Sequence, residues 1–366
     1  MTNAASKITK EEIHDIFPDI AKRYELYGNG PIGAASGFGA VWKAHDNWLD
    51  RDVAIKFSND DMGEELKLCR DIEGQTVRTF EYFRSSENWN AFTMELLESP
   101  WISLRHFVEN HKYKQYDLQH YFDCFEIVRS ILNGLKHIHG RPYGRIQRYI
   151  HADIKPDNLF VLRSPKKHPH TVFRMPAKEN LIKIIDLGIS LNNGQTLKAS
   201  TFSYSPLTSK ARPGVDLYAV GVTFLELITG ICPSHTTMGH KSRIKAFIEK
   251  QSSGSKHIDT IAINFANNCA KAANQNSISV RSCTQMLDSD IFELNGLFFI
   301  ILREINKTLS FGLKKNELAS ALFKCIGRYY GWKKNSQART IAIQETIKNL
   351  YEEGLLVLNG HSYFIR

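Results

Sequence analysis

His151-Ala152-Asp153-Ile154-Lys155-Pro156-Asp157-Asn158, followed by Asp186-Leu187-Gly188, is the stretch on which the reading of this 366-residue chain turns. The first segment sets a carboxylate, an ammonium and an amide in one short loop. The second supplies another carboxylate on a separate turn. Hydrophobic pieces flank the loop on both sides, Tyr149-Ile150 and Leu159-Phe160-Val161, as short buried strands would. A base, a cation that can neutralise phosphate and two hard oxygen donors are the parts needed to move a phosphoryl group from a metal nucleotide to a hydroxyl.

The rest of the chain limits what can surround that loop. Its length allows two or more domains with a sizeable core. Hydrophobic residues make up 42% and charged residues 23%, a globular rather than a disordered composition. Met1 to Lys10 is polar and carries no apolar leader, and the longest apolar run, Leu297 to Leu302, is far too short to span a bilayer. The six cysteines are scattered without a Cys-x-x-Cys pair, which favours reduced core residues over disulfides or zinc ligands. These features predict a cytoplasmic protein with no membrane partner. The net charge of +9 is uneven: between Arg141 and Glu179, nine basic residues face three acidic ones around the loop. That excess suits either a solvated surface or an anionic partner.

Residues 1–24 read as an N-terminal extension with a short amphipathic helix over 9–24. Residues 26–57 alternate glycine-rich turns with β-branched runs and predict strands. A helix is predicted over 64–72 and a buried strand over 91–97. Apolar spacing predicts a long helix from Tyr116 to His139, closed by Gly140, and a buried one from Asp216 to Thr229, closed by Gly230. Strands first and helices later predict an α+β, two-lobed arrangement.

This order of motifs over roughly residues 25–289 resembles eukaryotic-type Ser/Thr protein kinases. The resemblance implies a small lobe over about 25–97, a large lobe over about 98–289, and Mg-ATP as phosphoryl donor, with Mn2+ as an alternative ion. Ile32, Gly33, Gly37, Phe38, Gly39 and Val41 would line a loop over the phosphates, although Ala34 and Ser36 stand where the family has glycine. Lys56, in Val53-Ala54-Ile55-Lys56, would hold the phosphates, with Val41 and Ala54 against the adenine. Glu65 would pair with Lys56, Glu64 being the alternative. Met94 would be the gatekeeper, and the backbone of Glu95 and Leu97 would meet the adenine edge. Asp153 would be the base and Lys155 would neutralise the transferring group. Asn158 and Asp186 would bind the metal. Lys155 at its position is the Ser/Thr form. His151 reads as a buried structural histidine, and Asp216 as the anchor of the loop.

The chain departs from the family at three further places. Ala152 replaces the arginine that pairs with a phosphorylated activation loop, which predicts activity without that phosphorylation. Candidate sites there are Thr196, Ser200, Thr201 and Ser203, of which Thr201 could also contact Lys155 and Asp153. Tyr204-Ser205-Pro206-Leu207 lacks the glutamate that would pair with Arg281. Insertions near 140–149 and 163–179 carry the basic excess.

After about residue 290 the pattern changes. Helices are predicted near 291–308, 315–330 and 336–353, then two β-forming runs around Asn359-Gly360, a strong hairpin signal. This resembles a winged helix-turn-helix domain. Its net charge from Asp288 to Arg366, 11 basic against 8 acidic residues, is a thin footprint for DNA, so DNA and a protein partner are both open. Three functions follow: a Ser/Thr kinase acting on protein, a nucleotide-sensing regulator that works through the C-terminal domain, and a small-molecule phosphotransferase. The third fits least, because such enzymes share His-x-Asp but not the Asp-x-Lys-Pro-x-Asn form.

Overall fold

The computed structural model of the chain describes residues 8–32, 39–72, 74–110, 118–140, 149–162, 182–187, 190–192, 194–197, 201–206, 208, 210–230, 256–273, 283, 313–314 and 356–365, with isolated positions between 337 and 352. Two short helices open it, α1 (Lys10–Ile16) and α2 (Pro18–Arg23). The sequence predicts one helix here. Pro18 splits it, because proline lacks an amide hydrogen and disfavours helical backbone at the residue before it; Phe17 accordingly sits at φ −128°, ψ 74°. Thr9 and Glu12 cap α1 reciprocally, each side chain meeting the other's amide.

Five strands follow: β1 (Tyr24–Leu26), β2 (Ala40–Asp46), β3 (Arg51–Ser58), β4 (Thr79–Arg84) and β5 (Asn90–Glu95). They form one antiparallel sheet in the order β1-β2-β3-β5-β4. The predicted strand over 91–97 ends at Glu95, and β4, whose side chains are half-exposed or exposed, was not foreseen. The register puts Trp42 opposite Ile55 and Ala44 opposite Val53, so these share a face. Ile13, Phe17 and Ile20 of the first two helices are buried with that face, and Phe17 meets Phe57 at 5.6 Å between ring centroids. Each such side chain contributes about 1.5–3 kcal/mol by leaving water. The N-terminal helices are thus part of the small-lobe core. Arg23 fastens them, bonding both carboxylate oxygens of buried Asp46 at 2.8 Å and Glu81 at 2.8 Å.

Helix α3 (Gly63–Asp71) lies on the opposite face, where Met62, Leu66 and Phe92 cluster. Beyond the sheet come β6 (Trp101–Ser103), α4 (Leu104–Asn110), α5 (Leu118–His139), β7 (Tyr149–Ile150), β8 (Leu159–Leu162), β9 (Ile182–Ile184), β10 (Leu191–Asn192), α6 (Pro213–Thr229) and α7 (Lys256–Ala273). Gly140 and Gly230 close α5 and α6 at φ +70° and +69°, where the sequence placed them. Helices α6 and α7 pack closely because Gly214 has no side chain; a Cβ there would lie 2.0 Å from the Ala272 carbonyl oxygen. Strands β6, β8 and β9 form one small sheet, and β7 pairs with β10. No described helix is long and apolar enough to cross a membrane.

At the C-terminal end, β12 (Leu356–Asn359) and β13 (Ser362–Ile365) form a hairpin with Gly360 at φ +61°, and β11 (Leu313–Lys314) adds a third strand. Leu356 and Ile347 are buried in the same core cluster as the large lobe. The helices predicted over 291–308 and 315–330, and most of 336–353, lie outside the described residues. So do Gly33, Gly37, Phe38, Arg281 and nearly all of both insertions.

Candidate active site

Cross-strand pairing assembles the first half of the site. Val41 lies opposite Lys56, and Ala54 opposite Met94, so all four share the face of the sheet turned toward α3. Gly39 stands at the mouth of β2 with φ +143°, and a Cβ there would sit 2.4 Å from the Phe57 carbonyl oxygen, so only glycine fits. Ile32, 42% exposed, bonds back to the Val41 carbonyl. The amide of Glu95 is used by the Arg78 carbonyl, and its carboxylate receives Lys183 Nζ at 2.5 Å. Leu97 follows, half-buried, just past the end of β5.

Lys56 Nζ reaches Glu65 Oε1 at 2.7 Å and Asp186 Oδ1 at 3.0 Å. Of the two glutamates open from sequence, Glu65 makes this bond. Burial alone would lower the Lys56 pKa, but the two carboxylates outweigh it and raise the value above the ordinary one. Burial works in the same way against the Asp186 carboxylate, and Lys56 outweighs it there too, holding its pKa below the ordinary range.

Asp216, at the start of α6 and fully buried, organises the second half. Its carboxylate accepts the His151 amide at 2.9 Å and the Ala152 amide at 2.8 Å. These bonds hold Ala152 at φ +67°, a left-handed conformation that costs a non-glycine residue about 1–2 kcal/mol. His139 makes a third contact to Asp216 at 2.8 Å. His151 is fully buried against the Ile185 carbonyl at 3.0 Å, a structural position.

From that strained turn Asp153 emerges into a polar cluster. Lys155 Nζ donates to its carboxylate at 2.8 Å, and Asn158 Nδ2 at 3.0 Å. The Thr201 hydroxyl donates to the other oxygen at 2.6 Å and in turn accepts Lys155 at 2.8 Å. Burial would raise the Asp153 pKa, but Lys155 and Thr201 outweigh it and keep the group below its ordinary value. It is therefore ionised at neutral pH and able to accept a proton.

The metal ligands named from sequence are brought side by side, since the Ile185 amide bonds the Asn158 carbonyl and Asp186 is the next residue. One carboxylate and one amide oxygen are the hard donors that Mg2+ takes. Among the described residues no cluster of three His, Cys, Asp or Glu side chains exists that could hold a metal alone. The pair fits an ion that also takes oxygens from its nucleotide.

One group went unread in the sequence. Arg105 on α4 bonds Asp157, Glu226 and Tyr204. Arg105 gave no signal, because an arginine on a short amphipathic helix looks like a surface residue. Glu226 did give one: a carboxylate inside the apolar run Val220 to Ile228 requires a partner.

A family model described as the protein kinase domain matches residues 29–290. Among curated proteins, the chain is similar to the serine/threonine-protein kinase ArnS of Sulfolobus acidocaldarius, 31% identical over 112 residues, which cover 28% of this chain and 17% of that one. It is also similar to the probable serine/threonine-protein kinase PknB of Lactococcus lactis, 25% identical over 245 residues, covering 61% and 33% of the two chains. With the serine/threonine-protein kinase PrkC of Bacillus subtilis it shares 23% identity over 232 residues, covering 58% and 31%. The match spans a third or less of the length of each of these relatives.

Proposed function

The chain belongs to the protein kinase family, and on that premise we propose that it transfers the γ-phosphoryl of Mg-ATP to serine or threonine hydroxyls of a protein substrate. The observation that carries this reading is the joining of the Lys56–Glu65–Asp186 ion pairs to the Asp153–Lys155–Asn158 cluster through the Ile185–Asn158 backbone bond. Lys56 orients the nucleotide phosphates, with Val41, Ala54, Met94 and the Glu95–Leu97 backbone around the base. Asp186 and Asn158 would hold the ion, which would supply charge neutralisation to the phosphoryl donor. Asp153 takes the proton of the attacking hydroxyl, and Lys155 offsets charge on the group in flight.

The Thr201 hydroxyl itself bonds Asp153 and Lys155, which supports a site that needs no phosphate on the 196–203 segment. We read residues 290–366 as a winged-helix-like module for DNA or a protein partner. The hairpin with its third strand supports this, and salt-dependent titration of the full chain with duplex DNA distinguishes the two partners.

The test of the enzyme reading is transfer of labelled phosphate from Mg-ATP or Mn-ATP to the chain itself and to casein, with Asp153→Asn as control. Transfer by the parent and not by the variant is expected. Absence of transfer by the parent with either metal would refute the reading.

A further inference from the structure

Arg105 joins two separate routes to Asp153. Its guanidinium reaches Asp157 through Nε at 3.3 Å and Nη2 at 3.0 Å. Asp157 sits in the single 3-10 turn Pro156–Asn158, and Asn158 at the end of that turn donates to Asp153. This is the first route.

The second begins on the other side of the same guanidinium. Nη1 meets Glu226 Oε1 at 2.5 Å, and Nη2 meets the Tyr204 hydroxyl at 3.1 Å. Tyr204 donates to the second Glu226 oxygen at 2.5 Å, so the three groups close a ring. Tyr204 ends the 3-10 turn Phe202–Tyr204, its amide bonds the Thr201 carbonyl at 2.9 Å, and Thr201 caps the Asp153 carboxylate. Glu226 is fully buried on α6, whereas the Asp157 side chain is 45% exposed. Arg105 therefore spans from the rigid core helix to the loop surface.

A planar guanidinium suits this task, because its fork can bond two carboxylates and a hydroxyl at fixed angles; an ammonium cannot hold all three in one geometry. The chain lacks both the arginine before Asp153 and the glutamate after Pro206, two places from which the segment could otherwise be tied down. Thr201 and Tyr204 are nonetheless in place.

We propose that Arg105 is a positioning residue that holds the Asp157 turn and the Thr201–Tyr204 turn together, fixing Asp153 and the adjoining hydroxyl-substrate path in their working register without a phosphate group. This rests on the kinase reading above for its catalytic consequence, but not for its structural one. The site acted on is the substrate side of the cleft, since Arg105 touches none of Lys56, Glu65 or Asp186.

The decisive experiment uses the full chain carrying Arg105→Met together with Glu226→Gln. The second change removes the buried charge that the first would leave unpaired, while glutamine can still accept from Tyr204. The expected result is a fall in kcat of roughly 10- to 100-fold, the scale of an ångström-sized misplacement, with the KM for ATP and the affinity for Mg-ATP within about twofold. Hydrogen exchange at the Tyr204 and Ser205 amides should rise, with the α6 amides unchanged. Arg105→Lys should restore part of kcat by reaching one carboxylate.

Parental kcat and parental exchange in the folded double variant would overturn the proposal. So would a loss of kcat matched by an equal loss of Mg-ATP affinity. Should the double variant not fold, Asp157→Ala removes only the half-exposed arm, and an unchanged kcat with unchanged exchange at the Asn158 amide would equally overturn it. Exchange also decides the matter if the parent transfers no phosphate, an outcome that sinks the function proposed above and leaves the positioning role to stand or fall on its own measurement.

Discussion

Lys56, Glu65 and Asp186 meet directly, through two ion pairs that link a strand, a helix and the turn after β9. Asp153 is held by more varied means: by Lys155 and Asn158 from its own loop, by Thr201 from a separate segment, and by Asp216 through the backbone. The side we assign to the nucleotide is thus a compact charge cluster in which Lys56 is the counter-ion of both carboxylates. The side we assign to the substrate adds to its one ion pair, Lys155–Asp153, a chain of hydrogen bonds that ends on a buried core helix. A change on the first side alters charge balance. A change on the second alters geometry.

The contrast breaks most sharply at Asp153. Replacement by asparagine should lower kcat by roughly 10²- to 10⁴-fold, the usual range for a general base, with Mg-ATP affinity unchanged by titration with a fluorescent nucleotide. A parallel loss of affinity would show that the two sides do not act separately. Lys56→Met should do the opposite in kind: kcat falls by roughly 10²- to 10³-fold, and Mg-ATP affinity falls with it. Its unfolding midpoint should also drop, because buried Glu65 loses its counter-ion.

A smaller effect is expected at Thr201. Alanine there removes the hydroxyl bond to the Asp153 carboxylate, worth about 1.5–3 kcal/mol, and should reduce kcat about tenfold or more at unchanged ATP affinity. Serine should keep most of the activity, because it retains the hydroxyl. If Thr201→Ala instead behaved like Lys56→Met, the substrate-facing assignment would be wrong.

Acid should weaken both sides at once. Lys56 holds Asp186 below the ordinary carboxylate range against its burial, and Lys155 with Thr201 does the same for Asp153. Away from the cleft, the Arg23 bonds lower Asp46. A carboxylate whose folded pKa lies below its unfolded value of about 3.9 contributes stability above that pH and gives it up as the pH falls through the folded value. Thermal midpoints measured from pH 6 downward should therefore decline below about pH 4. Asp46→Asn should flatten that decline while leaving kcat at neutral pH unaltered. The smallest change is expected from Thr196→Ala: activity within about threefold of the parent, since the Thr196 hydroxyl bonds Lys210 rather than Asp153.

The side assigned to the nucleotide was legible in the chain because the resemblance to the kinase family rests on short local motifs. Lys56 and Ala54 alternate along one strand, Glu65 falls at a helical phase relative to Leu66 and Leu68, and Asp186 ends a short apolar run. Asp153, Lys155 and Asn158 were legible for the same reason, being packed into one loop. The terminal hairpin followed from Asn359-Gly360, a turn chemistry that acts within a few residues. The break at Pro18 was also local, but the 9–24 amphipathic pattern continues through it on both sides and masked it. Strand β4 had no such signal, since its side chains are half-buried or exposed with no fully buried face, and it pairs with β5.

Sequence alone offered the candidate groups for the proposed chemistry: a base, two cations, the oxygen donors and their order along the chain. Periodicity and turn chemistry operate over a few residues, and those choices are made at that range. Only the tertiary structure decided which of them touch. It chose Glu65 as the partner of Lys56, buried the N-terminal helices in the small-lobe sheet, and joined Arg105, Asp157, Tyr204 and Glu226 across separations of 52, 99 and 121 residues from Arg105. No local pattern records such contacts. The need to pair a buried charge such as Glu226 selects them only once the helices have packed.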